Sequence, residues 1–168
     1  MQRTGAGVFH AATAVAWGDV TLGAGCSLWP GASIRGDVAA VTLGTRCNVQ
    51  DNASVHCVHR EPQVIGDDVS IGHNAVVHGR AVGDGTLIGM HATVLGGVVI
   101  GRGCLVAAGA LLPEGARVPD GHVAMGLPAT PASYRPLREA ERAYIAKLPP
   151  HYLALAEAHE AGAYPSVL

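Results

Sequence analysis

A six-residue repeat constrains this chain more than any other feature. One aliphatic or small side chain recurs at intervals of six residues from Ala16 to Val118, with three exceptions, and a small residue stands two positions before most of them. A hexad with one large inward residue and a tight corner at its end is typical of a parallel β-helix, in which three hexads complete one coil. We therefore predict an all-β solenoid. The repeat positions are Ala16, Leu22, Leu28, Ile34, Leu43, Val49, Val55, Ile65, Ile71, Val77, Val82, Ile88, Val94, Ile100, Val106, Leu112 and Val118.

The exceptions to the period predict where the chain leaves the solenoid. Three extra residues follow the hexad of Ile34, and four follow that of Val55, so we expect loops to bulge near 37–40 and 58–62. One residue is missing after Val77.

The repeat ends near residue 132, and the rest of the chain has a helical pattern. Pro136 suits a first helical turn, and Pro149–Pro150 predicts a break before a second helix at about 151–161. We divide the chain into a β-helix domain, 1–132, and a C-terminal helical segment, 133–168, that packs on it or on a neighbouring subunit. Four apolar residues are expected on one face of the first helix, namely Leu137, Ala140, Tyr144 and Leu148, and the second helix carries Leu153, Ala156 and Tyr152 as its stripe.

Composition excludes several classes of partner. The 168 residues are 49% hydrophobic and 14% charged, which is enough to bury a core within one domain. A net charge of −2 without a Lys/Arg-rich run argues against binding to nucleic acid or to an anionic membrane. No apolar run approaches the roughly 18 residues of a membrane span, and no charged leader precedes an apolar stretch. We expect a cytoplasmic protein.

The register brings two histidines together. If the hexads are assigned in turn to faces a, b and c from Ala16, the residues that follow face-a positions include Arg35, His56 and His78. Parallel strands in register lie about 4.8 Å apart, so His56 and His78 can share one metal ion. His73 lies two residues past Ile71, at the corner between faces c and a. It is expected to point away from the other two and to need a neighbouring chain to join them.

Three motifs, "IRGDV", "NVQDNASVH" and "IGHNAVVHG", resemble those of gamma-class carbonic anhydrases, and the repeat over residues 10–130 resembles left-handed β-helix proteins. The resemblance implies a left-handed parallel β-helix and a homotrimer. It also implies a zinc-type ion at each interface, held by His56 and His78 of one chain and His73 of the next. Three neutral imidazoles leave a position for water, whose pKa the metal lowers to about 7. Such a hydroxide could attack CO2 to give bicarbonate.

Four other positions match the family by motif: Arg35, Asp37, Gln50 and Asp51. The resemblance implies that Arg35 pairs with a carboxylate across the interface and that Gln50 orients the bound water. A local salt bridge between Arg35 and Asp37, and a simple corner hydrogen bond for Gln50, are the alternative interpretations.

The loops lack one family feature. The best-known members carry glutamates that relay protons, whereas only Val38, Ala39, Ala40 and Val41 follow Asp37 here. His59 is a substitute candidate, because imidazole titrates near neutral pH; an ordinary loop histidine is the alternative. Cys57 follows His56 and is a candidate either for a contact beside the metal or for an alternative metal ligand.

Three functions stay open at this point. The first is a carbonic anhydrase-like lyase acting on CO2 or bicarbonate, and the second is a coenzyme A thioester hydrolase that uses the same metal site. The third is a non-catalytic trimer that the metal staples together. A coenzyme A-dependent acyltransferase shares the fold but has no need of three histidines at ligand spacing. Imidazole ligands suit zinc, iron and cobalt alike.

Overall fold

A computed structural model describes residues 1–165 of the chain. Within these residues the chain forms short strands, one 3-10 helix at Pro131–Ser133, and one α-helix, α1, at Glu139–Glu160. The strands are β1 (Gln2–Arg3), β2 (Phe9–His10), β3 (Val15–Leu22), β4 (Ser27–Leu28), β5 (Ser33–Leu43), β6 (Asn48–Val49), β7 (Ser54–His56), β8 (Gln63–Ile65), β9 (Ser70–Ile71), β10 (Val76–Val77), β11 (Ala81–Val82), β12 (Leu87–Ile88), β13 (Thr93–Val94), β14 (Val99–Ile100), β15 (Leu105–Val106), β16 (Leu111–Leu112), β17 (Arg117–Val118), β18 (His122–Ala124) and β19 (Arg135–Pro136).

The strands stack in parallel on three faces, as the hexad register predicts. Face a contains β3, β5, β7, β10, β13 and β16, and face b contains the far ends of β3 and β5 followed by β8, β11, β14 and β17. Face c runs from β2 to β18 through β4, β6, β9, β12 and β15, with β1 and β19 added antiparallel at its two ends. The predicted solenoid and the assignment of hexads to faces are confirmed.

One column of inward side chains from each face forms the core. Ile34, Val55 and Val77 stack on face a, and all three are buried. Three cysteines at the start of face-c hexads fill a corner, where each thiol donates to a backbone carbonyl of the coil above: Cys26 to Gly44, Cys47 to Gly66 and Cys104 to Pro119. These cysteines are packing residues, and all four cysteines of the chain are free thiols.

Both predicted insertions are present. On β5, Gly36 pairs with Gly18 and Val41 pairs with Val20, so residues 37–40 bulge opposite a single residue of β3. Residues 58–61 form a small turn closed by an antiparallel bridge between Val58 and Glu61. Each insertion leaves the solenoid beside a face-a strand end, which is where the histidines lie.

The expected pair of C-terminal helices is wrong, because α1 is one continuous helix that contains Pro149 and Pro150. Each proline removes a backbone hydrogen bond, but packing on both sides holds the segment in place. Ile145 before the prolines and Ala156 after them are buried, as is Pro149 itself. Pro136 does not begin the helix either, since it belongs to β19 and the helix starts three residues later.

The predicted apolar face of the first helix is also displaced. Ala140 and Tyr144 are exposed, and Leu137 is buried but precedes the helix. The buried stripe follows Ile145, Pro149 and Ala156, with Leu148, Tyr152 and Leu153 packed beside it. This stripe lies on face c. The division at residue 132 stays a prediction, and the last three residues of the segment 133–168 lie outside the described residues.

Candidate metal centre

Two imidazoles face each other on the outer side of face a. Arg35 pairs in register with His56, and the strand of Val76–Val77 pairs with Ser54–Val55, so His78 emerges one coil above His56. Nδ1 of His56 lies 3.1 Å from Nε2 of His78. Two lone pairs at this distance repel unless a proton or a cation lies between them. The sequence-predicted pairing of these two residues is therefore present as a preformed contact.

A carboxylate orients this histidine pair. Nε2 of His56 lies 2.9 Å from Oδ1 of Asp37, which sits on the bulge at 37–40, and the guanidinium of Arg35 donates to the other oxygen of Asp37. These hydrogen bonds, from His56 first and then Arg35, hold the pKa of Asp37 below its ordinary value. Because Nε2 of His56 donates to Asp37, Nδ1 is left with a lone pair that faces His78 and lies 3.5 Å from Nη2 of Arg35.

The environment of His78 favours its neutral form. Burial lowers the pKa of His78 first, and the nearby His56 and Arg35 lower it further because positive charge there disfavours a second cation. A neutral imidazole is the form that binds a metal ion.

His73 lies elsewhere, at the corner between faces c and a. Its Nδ1 is 2.9 Å from Oδ2 of Asp51, which occupies the same corner position one coil below. Nε2 of His73 is consequently the ring nitrogen left for a ligand. In residues 1–165 no three His, Cys, Asp or Glu side chains come close enough to hold one metal ion. A single chain thus brings His56 and His78 together but does not bring His73 to them.

Gln50 is nearly buried, with 3% of its surface exposed, on the outer side of face c under α1. Its Nε2 donates to Oδ1 of Asn48 at 3.0 Å, and Nδ2 of Asn48 donates to Oγ of Ser70 at 2.8 Å. The corner hydrogen bond considered for Gln50 is therefore present, and it fixes the amide so that Oε1 is the atom offered to a ligand. Sequence reasoning missed Asn48, although its position two residues before Gln50 on a strand places both on one side.

Gln50 also lines a groove of about 320 Å³ between α1 and face c. Its walls are mostly apolar and include Leu148 and Tyr152 of the helix. Gly72 and Gly89 form its floor, and a Cβ at either glycine would lie within 3.0 Å of the backbone of the next coil. Burial raises the pKa of Tyr152, and the carboxylate of Asp51 raises it further. Gln50 and Gly72, which line the groove, directly precede Asp51 and His73, so the groove neighbours the corner that carries these two residues.

The remaining candidates have simpler surroundings. His59 is exposed in the turn of 58–61, which supplies no contact that would fix its ring. Cys57 is buried, and its thiol donates to the carbonyl of Ala39 at 3.1 Å, so it braces the bulge that carries Asp37.

In the described part of the chain, no helix is long and apolar enough to cross a membrane.

Known proteins are similar to this chain in the hexapeptide repeat, in overall sequence and in fold. Residues 81–114 match the profile of the bacterial transferase hexapeptide (six repeats), and residues 62–90 match the hexapeptide repeat of succinyl-transferase. Gamma carbonic anhydrase 1 of Arabidopsis thaliana, a mitochondrial protein, is 45% identical over 91% of this chain and 57% of its own length. The chain thus spans a little over half of that relative.

Two other similar proteins are matched over a larger share of their own length. A carbonic anhydrase of Geobacillus kaustophilus is 43% identical over 77% of this chain and 75% of its own length. A hexapeptide transferase family protein of Anaplasma phagocytophilum has a similar crystal structure, with a TM-score of 0.84 and 35% identity over 90% of this chain and 89% of that one. The fold and these likenesses define a hexapeptide-repeat protein. Within that class, the chain belongs to the gamma carbonic anhydrase-like family.

Proposed function

We propose that this protein is a metal-dependent carbonic anhydrase-like enzyme that catalyses the reversible hydration of CO2 to bicarbonate. It acts as a homotrimer with a zinc-type ion at each interface, held by His56 and His78 of one subunit and His73 of the next. The observation that carries the proposal is the preformed contact between the two face-a imidazoles, in a chain that is closely similar to carbonic anhydrases.

The donor set fits such an ion. Two nitrogens that each bind a tetrahedral zinc at about 2.0–2.1 Å lie about 3.3 Å apart, and the separation between His56 and His78 is 3.1 Å. His56 and His73 each have a carboxylate on the opposite ring nitrogen, which is the usual arrangement behind a metal-binding histidine. Iron or cobalt would suit the same imidazoles.

The chain's own residues divide the work around this centre. A bound ion would supply Lewis acidity and lower the pKa of water at the site. Asp37 holds His56, and Asp51 holds His73, in the tautomer that can bind the ion. Arg35 in turn donates to Asp37. Gln50, fixed by Asn48, offers Oε1 to orient a water or the substrate, and His59 is the candidate to pass protons to buffer.

Metal content, oligomeric state and turnover test this proposal together. The protein, purified without oxygen, should be a trimer with one metal ion per chain, and removing the metal should abolish CO2 hydration. A monodisperse monomer that binds metal through the same three histidines would contradict the shared site. A trimer that binds metal but turns over no substrate would be the metal-stapled assembly instead.

The apolar groove beside Gln50 favours a second candidate, thioester hydrolysis at the same centre. Its volume of about 320 Å³ is far larger than a CO2 molecule needs, and its leucine and tyrosine walls suit an acyl chain. Filling the groove with Ala107→Leu should raise KM for a long-chain acyl thioester and leave CO2 hydration unchanged. If the parent hydrolyses no thioester, this candidate fails.

The expected cytoplasmic location stays a prediction.

A further inference from the structure

Gln63 is a polar side chain inside the solenoid. It is 0% exposed and points inward from β8, beside Val41 of the preceding coil. Its Oε1 is buried and has no hydrogen-bond partner within the described residues. Interior positions of this coil are otherwise aliphatic, so a glutamine here costs stability. A side chain that lowers stability in this way is typical of a functional site.

The neighbouring coil explains why there is room for the side chain. In this coil the step from Val77 to Val82 is five residues, one fewer than the six-residue repeat. At its corner stands Gly79, which has no side chain; a Cβ there would come within 3.0 Å of Val94. Arg80, the residue opposite Gln63 in this coil, is exposed, so this coil supplies no inward side chain opposite Gln63, whose amide extends from the coil below toward it.

The amide of Gln63 reaches the backbone of the metal centre. Its Nε2 donates to the carbonyl of Val77 at 3.4 Å. Val77 directly precedes His78, so the contact from Gln63 lies one residue from this histidine. The contact from Gln63 is a core support for the peptide that carries this histidine.

We propose that Gln63 is a positioning residue that holds the His78 backbone at the separation from His56 that a shared metal ion requires. This inference rests on the proposed function, since it assumes that His78 is a ligand. Gln63 touches neither the metal nor the substrate. The amide of Gln63 lowers the stability of the metal-free fold but fixes the position of His78. Replacing the amide should therefore change the stability of the metal-free protein and its zinc affinity in opposite directions.

The test is Gln63→Met, which keeps an unbranched side chain of similar length and removes both amide atoms. We expect the melting temperature of the metal-free protein to rise or stay unchanged, because an unpaired buried oxygen is gone. We expect zinc affinity, measured by chelator competition, to fall about 3- to 10-fold, less than the 10- to 100-fold typical of a direct partner of a ligand. The absorption spectrum of the cobalt-loaded variant should shift as the coordination geometry loosens.

Unchanged zinc affinity in Gln63→Met would overturn the inference. If melting temperature and zinc affinity fall together, Val118→Ala is the deciding control, because it weakens the core three coils from Gln63. Equal loss of zinc in that control would make the effect a general one and would also refute the role of Gln63. Zinc binding by the parent and by His78→Ala separates the two proposals. If His78→Ala binds zinc as tightly as the parent, the proposed metal site fails irrespective of Gln63.

Discussion

On face a, His56 and His78 face each other at 3.1 Å with Asp37 behind them, whereas His73 stands at a corner with Asp51 alone. Both regions hold an imidazole against a carboxylate, so the chemistry of orientation is the same in each. They differ in what the strand stacking supplies. Adjacent face-a strands bring two of the proposed ligands together within one chain, but the corner presents the third proposed ligand away from that pair. We infer that the chain carries two complementary halves of one site.

Damaging the face-a half in one chain and the corner half in another should produce the largest effect on metal binding and activity. His73→Ala and His78→Ala should each lose metal and activity alone. When the two variants are refolded together in equal amounts, three quarters of the trimers should be mixed. Each mixed trimer has one interface with all three ligands, so activity should return to about a quarter of the parent level.

A matched pair of variants controls this experiment. His56→Ala and His78→Ala both damage the face-a half, so their mixture should recover no activity. Recovery in that mixture, or none in the first, would show that the two halves do not meet between chains in the proposed way.

A smaller effect is expected when the ligands stay and only the orienting amide is removed. Gln50→Leu should keep the trimer and its metal while lowering turnover about 10- to 100-fold, the range for groups next to a ligand. Metal analysis and CO2 hydration rates measure the two properties separately. Full activity on every substrate of the parent would remove Gln50 from the mechanism.

His59 tests whether the exposed turn beside the face-a half passes protons. His59→Ala should slow turnover several-fold at low buffer concentration, and added imidazole should restore the rate. His122→Ala, at the far end of the solenoid, is the control and should change neither rate. If His59→Ala behaves like that control under both conditions, the turn histidine is an ordinary surface residue.

The smallest effect on the site should come from loosening α1, which covers face c but not the face-a pair. Arg135 donates two hydrogen bonds to Glu141, at 2.8 and 2.6 Å. These bonds, and then the N–H of Arg138, lower the pKa of Glu141 to about 2. Since the pKa is lower in the folded state, this stability is present above the ordinary pKa and is lost as pH falls towards 2.

Glu141→Gln should therefore lower the melting temperature at neutral pH and flatten its decline between about pH 4.5 and 2. Zinc affinity should be unchanged, because neither histidine region contacts this ion pair. A melting temperature equal to that of the parent at pH 7 would show that the pair does not anchor the helix.

The face-a pairing was predictable because hexad register is a local property that fixes which residues stack. The same register contains the Asp51–His73 contact, since each residue lies two past a face-c aliphatic position in successive coils. The register places these two residues one above the other, but it does not specify that their side chains meet in a hydrogen bond. The contact of Asp37 with His56 depends on the path of the bulge at 37–40, which no repeat specifies. The continuous α1 was missed because packing on face c outweighs the local effect of two prolines.

The helix α1 also limits how this solenoid can change in evolution. Its first turns lie beside the last coil, where Arg142 donates to the carbonyl of Gly121, and its end lies beside the first, where Glu160 pairs with Arg3. With 22 residues, α1 is about 33 Å long, close to the height of the strands it crosses on face c. A solenoid alone can gain or lose whole coils by duplication or deletion. Here the gain or loss of one coil would leave α1 about three residues too short or too long to cross face c. The length of α1 therefore constrains the number of coils.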